Sequence, residues 1–341
     1  MTATDVASLL ARAEELAGSG AALEAIAELT AANREHPDPV FERELVRIRH
    51  VAWPEVDRSG PRRAWATPVP DVFAGVDGIP EAAASDLDAA TIRSAILHHG
   101  GLVVRGLFPT GLCERLRDGI DRSWDAIERF RATKERDPAW FDPLDTKEYG
   151  LTLMGRALIE SSGTAYVPDS PRLLFELLEA FEETGVTKVV TEYFDEAPAL
   201  SLVKLAHRRL APDARGGWHQ DAAVYGRSAR TLNVWVPVTA CGDVAPGLTM
   251  WPRRLDGLVK THGTEGVDEY RAIVEEVEKL TAVVPASSPV FAPGDAAIFD
   301  QFLLHQTNAS PDFTERRYGF ESWFFAPSTF PDPMRWIPLA L

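Results

Sequence analysis

The chain has 341 residues, 45% of them hydrophobic, enough to bury a large core in one big domain or two ordinary ones. A formal net charge of −16 argues against sequence-independent binding to nucleic acid. Cys113 and Cys241 are too few for a disulfide framework, although a single bridge between them stays open. No stretch reaches the roughly 18 apolar residues of a membrane span. Met1-Thr-Ala-Thr-Asp-Val lacks the basic and apolar regions of a secretory signal, so a cytoplasmic location without membrane attachment is expected.

Residues 1–50 read as a helical extension. Leu9, Leu10, Ala13 and Leu16 follow helical spacing, as do Ala22, Ile26 and Leu29, with Gly18-Ser19-Gly20 between the two runs. His36-Pro37-Asp38-Pro39 closes the second run, and Phe41 to Ile48 can start a third helix. Paired helices, a small-residue turn and a proline look like one tetratricopeptide-type hairpin, which cannot form a solenoid by itself. The simpler expectation is an extension packed on the main domain; the alternative is a docking module for a protein partner. Residues 51–85, rich in Pro, Gly and Ala with Trp53 and Trp65 embedded, read as an ordered linker or wrap.

Residues 86–341 form the main domain. Leu87, Ile92, Ile96 and Leu97 predict a helix ending at His98-His99-Gly100-Gly101. Adjacent side chains point apart on a helix, so this histidine pair reads as a helix end rather than a metal site. Leu102-Val103-Val104 is a short strand, and Cys113 to Phe130 an amphipathic helix with Leu116, Ile120, Trp124 and Ile127 on one stripe. Residues 131–165 read as an irregular surface loop able to cover a site. A single helix is expected from Arg172 to Tyr193.

From Ala199 the texture changes to strands: Leu200 to His207, Leu232 to Val236, Ala296 to Phe299 and Tyr318 to Phe325. Short strands between Gly and Pro turns predict a mostly β core, a sandwich or jelly roll, with flanking helices. The insert from Asp256 to Leu280 is expected to be mostly helical, with Tyr270, Ile273 and Val277 on one face. Residues 131–165 and 252–285 are the loops expected to line the pocket.

The chemistry centres on Gly217-Trp218-His219-Gln220-Asp221. In an extended strand His219 and Asp221 would project from one face and could grip one cation together. Two histidines and one carboxylate with open positions are the donor set of non-haem Fe(II) oxygenases, and His305 is the best candidate for the second histidine. Such a triad should converge from separate strands. A lone His-x-Asp is commonly incidental; His219, Asp221 and a distal His305 followed by arginine, in that order, are not.

Arg316 and Arg317 head the last long strand, and a guanidinium there suits a cosubstrate carboxylate. Tyr318, Phe320 and Phe324 make one apolar face and Arg317, Gly319 and Glu321 the other. Arg317 is therefore preferred, with Gly319 leaving room beside it and Arg316 as the alternative.

His-Gln-Asp, Pro293-Gly294-Asp295, the distal histidine and the arginine on the closing strand together resemble the phytanoyl-CoA dioxygenase family. The likeness runs from about Ala95 to Phe325, through Gly101 to Phe108, Asn233 to Pro237 and Ala245-Pro246-Gly247-Leu248, and leaves the first 80 or so residues uncovered. It implies a double-stranded β-helix (jelly roll, cupin-like) and Fe(II)- and 2-oxoglutarate-dependent oxidation of a small organic molecule by dioxygen. His219, Asp221 and His305 would hold iron. Arg317 would meet the distal carboxylate of 2-oxoglutarate, with Thr307 as second donor, Trp235 beside the cosubstrate and Asn233 offering its amide. Lys204 and His207, on the preceding strand, are further candidates for the same pocket. His305-Gln306-Thr307-Asn308 departs from the family's frequent His-Gly-Ser, which leaves the arginine register open. A carboxylate at Asp221, rather than the small residue of related halogenases, implies hydroxylation or a related oxidation. The rival readings are a cupin-like metal-dependent isomerase or epimerase, and a non-catalytic metal-binding protein whose helices dock a partner.

Overall fold

A computed structural model of the chain describes residues 2–61, 68–144, 153–263 and 270–341, so Trp65 lies outside the described residues. In chain order its elements are α1 (Ala3–Gly18), α2 (Ala22–Glu35), α3 (Pro39–Val51), β1 (Glu81–Ala83), α4 (Ala89–His99), β2 (Gly101–Arg105), α5 (Thr110–Thr133), α6 (Leu153–Ser161), β3 (Thr164–Tyr166), α7 (Pro171–Glu183) and α8 (Val186–Phe194). There follow β4 (Ala199–Leu210), α9 (Ala222–Tyr225), β5 (Thr231–Pro237), β6 (Leu248–Met250), α10 (Val274–Val283), β7 (Ala296–Phe299), β8 (His305–Thr307), β9 (Arg317–Phe325), α11 (Pro333–Trp336) and β10 (Pro338–Ala340).

Local signals set many boundaries. Thr2 and Asp5 form a reciprocal capping box on α1, and Asp38 caps α3 ahead of Pro39. Asp88 caps α4, which ends at Gly100 in the left-handed region (φ 83°). His98 and His99 at that end bond the Val69 carbonyl and the Asp71 carboxylate. The helix expected from Arg172 to Tyr193 is two helices, because Gly185 turns left-handed (φ 75°) between α7 and α8.

Eight strands form one mixed sheet in the order β1-β2-β7-β5-β9-β4-β10, with β3 added beside β4. Among the described residues only the β1–β2 pairing is parallel. A second, two-stranded sheet pairs β6 with β8. Alternation along β9 divides the core. Phe320 and Phe324 face the layer of α4, α5, α7 and α8, joining Ile96, Ile120, Leu177, Phe181 and Val190. Trp323 and Phe325 face the other way, joining Tyr225, Trp235, Phe291, Phe299 and Met250 beneath the small sheet. Each buried aromatic contributes roughly 2–3 kcal/mol to that packing.

The α1–α3 extension packs against the body. Phe41, Leu45 and Ile48 share a cluster with Phe175 and Ala340. Arg34 pairs with Glu179 at 2.7 Å, and Glu42 with Arg172. In the segment 51–85, Trp53 is buried with its ring tilted against Phe330 at 4.8 Å, while β1 joins the main sheet.

Two loop expectations differ. Among the described residues of the insert from Asp256 to Leu280, helix begins only at Val274; before it, Ala272 N–H donates to the Trp218 carbonyl at 2.8 Å and Thr261 bridges Ala272. Backbone committed to that pairing cannot also close helical turns. The described part of 131–165 contains the end of α5 and α6, and Phe141 joins the helix-side core. Both cysteines are buried and free. Among the described residues no helix is long and apolar enough to cross a membrane.

Candidate metal centre and cosubstrate pocket

His219 and His305 face each other as an antiparallel bridge, each donating its N–H to the other's carbonyl, at 2.9 and 3.0 Å. Their rings lie 4.3 Å apart. Asp221 is not on a strand, as the i, i+2 reading supposed. Its backbone is helical (φ −64°, ψ −19°), and its carbonyl accepts from Val224 and Tyr225 at the start of α9. The turn nonetheless brings its Oδ2 to 3.7 Å from His305 Nε2. One donor atom from each of His219, Asp221 and His305 lies within 4.8 Å of the others.

The imidazoles are oriented from behind. His219 Nδ1 donates to the Gly217 carbonyl at 2.9 Å, and His305 Nδ1 to the Leu303 carbonyl at 3.0 Å. With the protons on Nδ1, the Nε2 lone pairs remain for a cation. Burial, then the neighbouring His219, pushes His305 down to about 4, which keeps it neutral near pH 7. Gln220 points the other way and ties loops together: its Nε2 donates to the carbonyls of Phe302 (2.8 Å) and Gly257 (3.1 Å), and its Oε1 accepts from Val259 N–H (2.7 Å).

A cavity of about 460 Å³ opens beside the three side chains. Arg317 reaches it while only 2% exposed, its Nη1 donating to the carbonyls of Pro246 (2.9 Å) and Gly247 (3.1 Å), its guanidinium 5.0 Å from the Trp235 ring centre. Burial brings its pKa down to about 10. Among the described residues no carboxylate lies within 4 Å of it. Thr307 and Asn233 also line the cavity; Asn233 is buried, and its Oδ1 has no partner among the described residues. Gly216 packs where a Cβ would come 2.9 Å from Thr307 Oγ1.

Arg316 lines a different groove, with Trp124, Glu128 and Arg209. Gly319 does not make room for the arginine; a Cβ there would lie 2.7 Å from the Val236 carbonyl, so the glycine serves the approach of β5. His207 is turned away from the cavity. It is fully buried on the helix side, its Nε2 3.1 Å from Ser123 Oγ and its ring edge-on to Trp124, and burial pushes it down to about 3. Lys204 does line the cavity, its Nζ 4.9 Å from the Tyr225 ring centre and 5.6 Å from that of Trp336.

The sequence alone does not place several other residues in this lining, among them Arg208, Tyr270, Leu248 and Arg335. Arg208 was legible, since it shares strand parity with Lys204 and pairs with Glu321. Burial raises the Glu321 carboxyl, but Arg208 and Lys204 outweigh it and hold it at about 2. Tyr270, expected on a helix face with Ile273 and Val277, precedes the helix and stands edge-on to His219 at 5.5 Å. No described residue of 131–165 lines the cavity; Tyr270 is the contribution of 252–285.

No family model matches the sequence, and no curated protein matches it. Solved structures with a similar course include AviO1 from Streptomyces viridochromogenes Tue57, at 16% identity over 72% of this chain and 99% of that one, TM-score 0.45. EctD from S. alaskensis, solved with 2-oxoglutarate and 5-hydroxyectoine, is 16% identical over 72% of this chain and 80% of that one, TM-score 0.48. EvdO2 from Micromonospora carbonacea var. aurantiaca is 17% identical over 72% and 95%, TM-score 0.43. Likeness at this level assigns neither family nor activity to the chain.

Proposed function

We propose that this chain is a mononuclear Fe(II)- and 2-oxoglutarate-dependent oxygenase of the phytanoyl-CoA dioxygenase type, hydroxylating a small organic molecule. The eight-stranded sheet and the short β6–β8 sheet are read as the two layers of its double-stranded β-helix. The observation that carries the proposal is the meeting of His219, Asp221 and His305 at one point, with both imidazoles presenting Nε2. That donor set fits a ferrous ion with positions left open. Bound there, iron would supply the activation of dioxygen, with 2-oxoglutarate giving succinate and carbon dioxide.

The chain's own residues do the positioning. Arg317, buried and without a carboxylate within 4 Å among the described residues, receives the distal carboxylate of 2-oxoglutarate through paired hydrogen bonds. Thr307 adds a hydroxyl donor, Trp235 a flat wall and Asn233 an amide whose Oδ1 is otherwise unpartnered. Phe299, its ring 4.9 Å from that of His305, limits water beside the metal ligands. An isomerase or epimerase would need the triad and a base, but not a buried arginine aimed at a keto acid.

The test is anaerobic metal titration of the wild-type chain, His219→Ala and His305→Ala, followed by succinate assay with iron, 2-oxoglutarate and air. Each variant should bind metal about 100-fold more weakly or worse, since even losing an outer partner costs 10–100-fold. Wild type should release succinate without added substrate, and the variants should not. Metal affinity unchanged in both variants, or metal bound without any succinate, would remove the oxygenase assignment.

A further inference from the structure

The lining of the cavity is charged unevenly. Lys204, Arg208, Arg317 and Arg335 bring four positive charges, and Asp221 and Glu321 two negative ones. Arg208 is paired with Glu321. On the reading proposed above, which this inference rests on, a ferrous ion and the 2-oxoglutarate dianion cancel, so two positive charges remain inside a chain of net charge −16. With Glu321 in direct contact with Arg208 and only acting on Lys204 from beyond 4 Å, the excess falls on Lys204 and Arg335.

Those two cations share one aromatic ring. Lys204 Nζ stands 5.6 Å, and Arg335 Cζ 4.8 Å, from the centre of Trp336. Neither has a carboxylate within 4 Å among the described residues. Like charges gathered on one indole repel, and an anion between them would relieve the repulsion. Arg335 is exposed on α11 at the cavity rim, whereas Lys204 is half-buried on β4, facing inward over Tyr225. Both line the cavity that the metal ligands also line, and their charge concentrates anions there.

We infer that the primary substrate carries an anionic group, a carboxylate or a phosphate, gripped by Lys204 and Arg335 beside Trp336. This places its reacting carbon deeper in the cavity, towards His219 and Asp221. Lys204 is then a specificity-determining residue, not a packing residue alone.

The test uses the full chain loaded with Co(II) and 2-oxoglutarate. It is titrated with monocarboxylates of three to ten carbons, the corresponding phosphate monoesters and the neutral primary amides of the same acids. At least one acid or phosphate should bind, its amide about tenfold more weakly or worse, and the preference should shrink with added salt. Lys204→Met, which keeps the stem over Tyr225, should weaken the anion by about tenfold, leaving 2-oxoglutarate within about twofold; Lys204→Arg should restore most of it. Arg335→Ala, at an exposed site that tolerates truncation, should cost a smaller factor in the same direction. Preference for carboxylates or for phosphates identifies which anion the site takes. Acids and amides behaving alike, bound or unbound, would overturn the inference, as would anion binding unaltered in both Lys204→Met and Arg335→Ala. If neither metal nor 2-oxoglutarate binds, the oxygenase reading fails by itself, and the same panel titrated against the unloaded chain decides the anion question.

Discussion

Replacing Arg317 with methionine separates binding from folding. The side chain is 2% exposed, and among the described residues its direct contacts are the Pro246 and Gly247 carbonyls and the face of Trp235. Its folded pKa of about 10 lies below the ordinary arginine value, so the charge weighs against folding wherever it is carried, up to pH about 10. That cost is on the order of 3 kcal/mol. Against it stand the two hydrogen bonds, each worth about 1–2 kcal/mol, and the packing of the stem, which methionine largely retains. The terms nearly cancel, so Arg317→Met should unfold in urea within about 1 kcal/mol of wild type when no ligand is present. Binding should behave differently. Two charge-assisted hydrogen bonds to the distal carboxylate contribute about 3–4 kcal/mol, which is two to three decades in Kd at about 1.4 kcal/mol per decade. Calorimetric titration of the metal-loaded chain with 2-oxoglutarate reads that loss directly. Urea melts with and without 2-oxoglutarate should show ligand stabilisation in wild type and almost none in the variant. A variant that loses several kcal/mol unliganded yet binds 2-oxoglutarate as wild type does would refute the reasoning and make Arg317 a structural strut.

Two further perturbations test the scaffold. Gln220→Ala removes three hydrogen bonds that join Phe302, Gly257 and Val259 behind the metal ligands, and should cost about 2–3 kcal/mol in urea melts. It should also weaken Co(II) by about ten- to a hundredfold, since the backbone that aims His219 and Asp221 loses its tie. Glu176 on α7, against Gly119 of α5 and among Arg172, Glu42, Arg115 and Arg122, is pushed up to about 7, chiefly by burial. With the folded value above the ordinary one, the folded chain holds the proton longer, and stability falls as pH rises from about 4.5 through 7. Glu176→Gln should therefore gain about 1–3 kcal/mol at pH 8 and almost nothing at pH 4, read from urea midpoints at the two pH values; a gain equal at both would point to packing instead.

Local sequence signals located many of the helix ends, because caps and left-handed glycines act within a few residues. They overlooked Gly185, where an apolar stripe continues across a break, and they overextended the helix of the insert, whose backbone is claimed by a partner far away in sequence. The chemistry divides in the same way. That Arg317 and Glu321 share a face while Phe320 and Phe324 share the other follows from the two-residue period of a strand, a property of the chain alone. So does the nomination of two histidines and a carboxylate as a donor set. Tertiary structure alone decided that Lys204 rather than His207 reaches the cavity. The pairing of β4 with β9 shifts between Leu200 and Leu205, and parity on a strand means nothing until its register against a neighbour is known. It also decided that His219 and His305 meet, because their mutual hydrogen bonds join segments far apart in the sequence, and no local rule of periodicity reaches across such a gap.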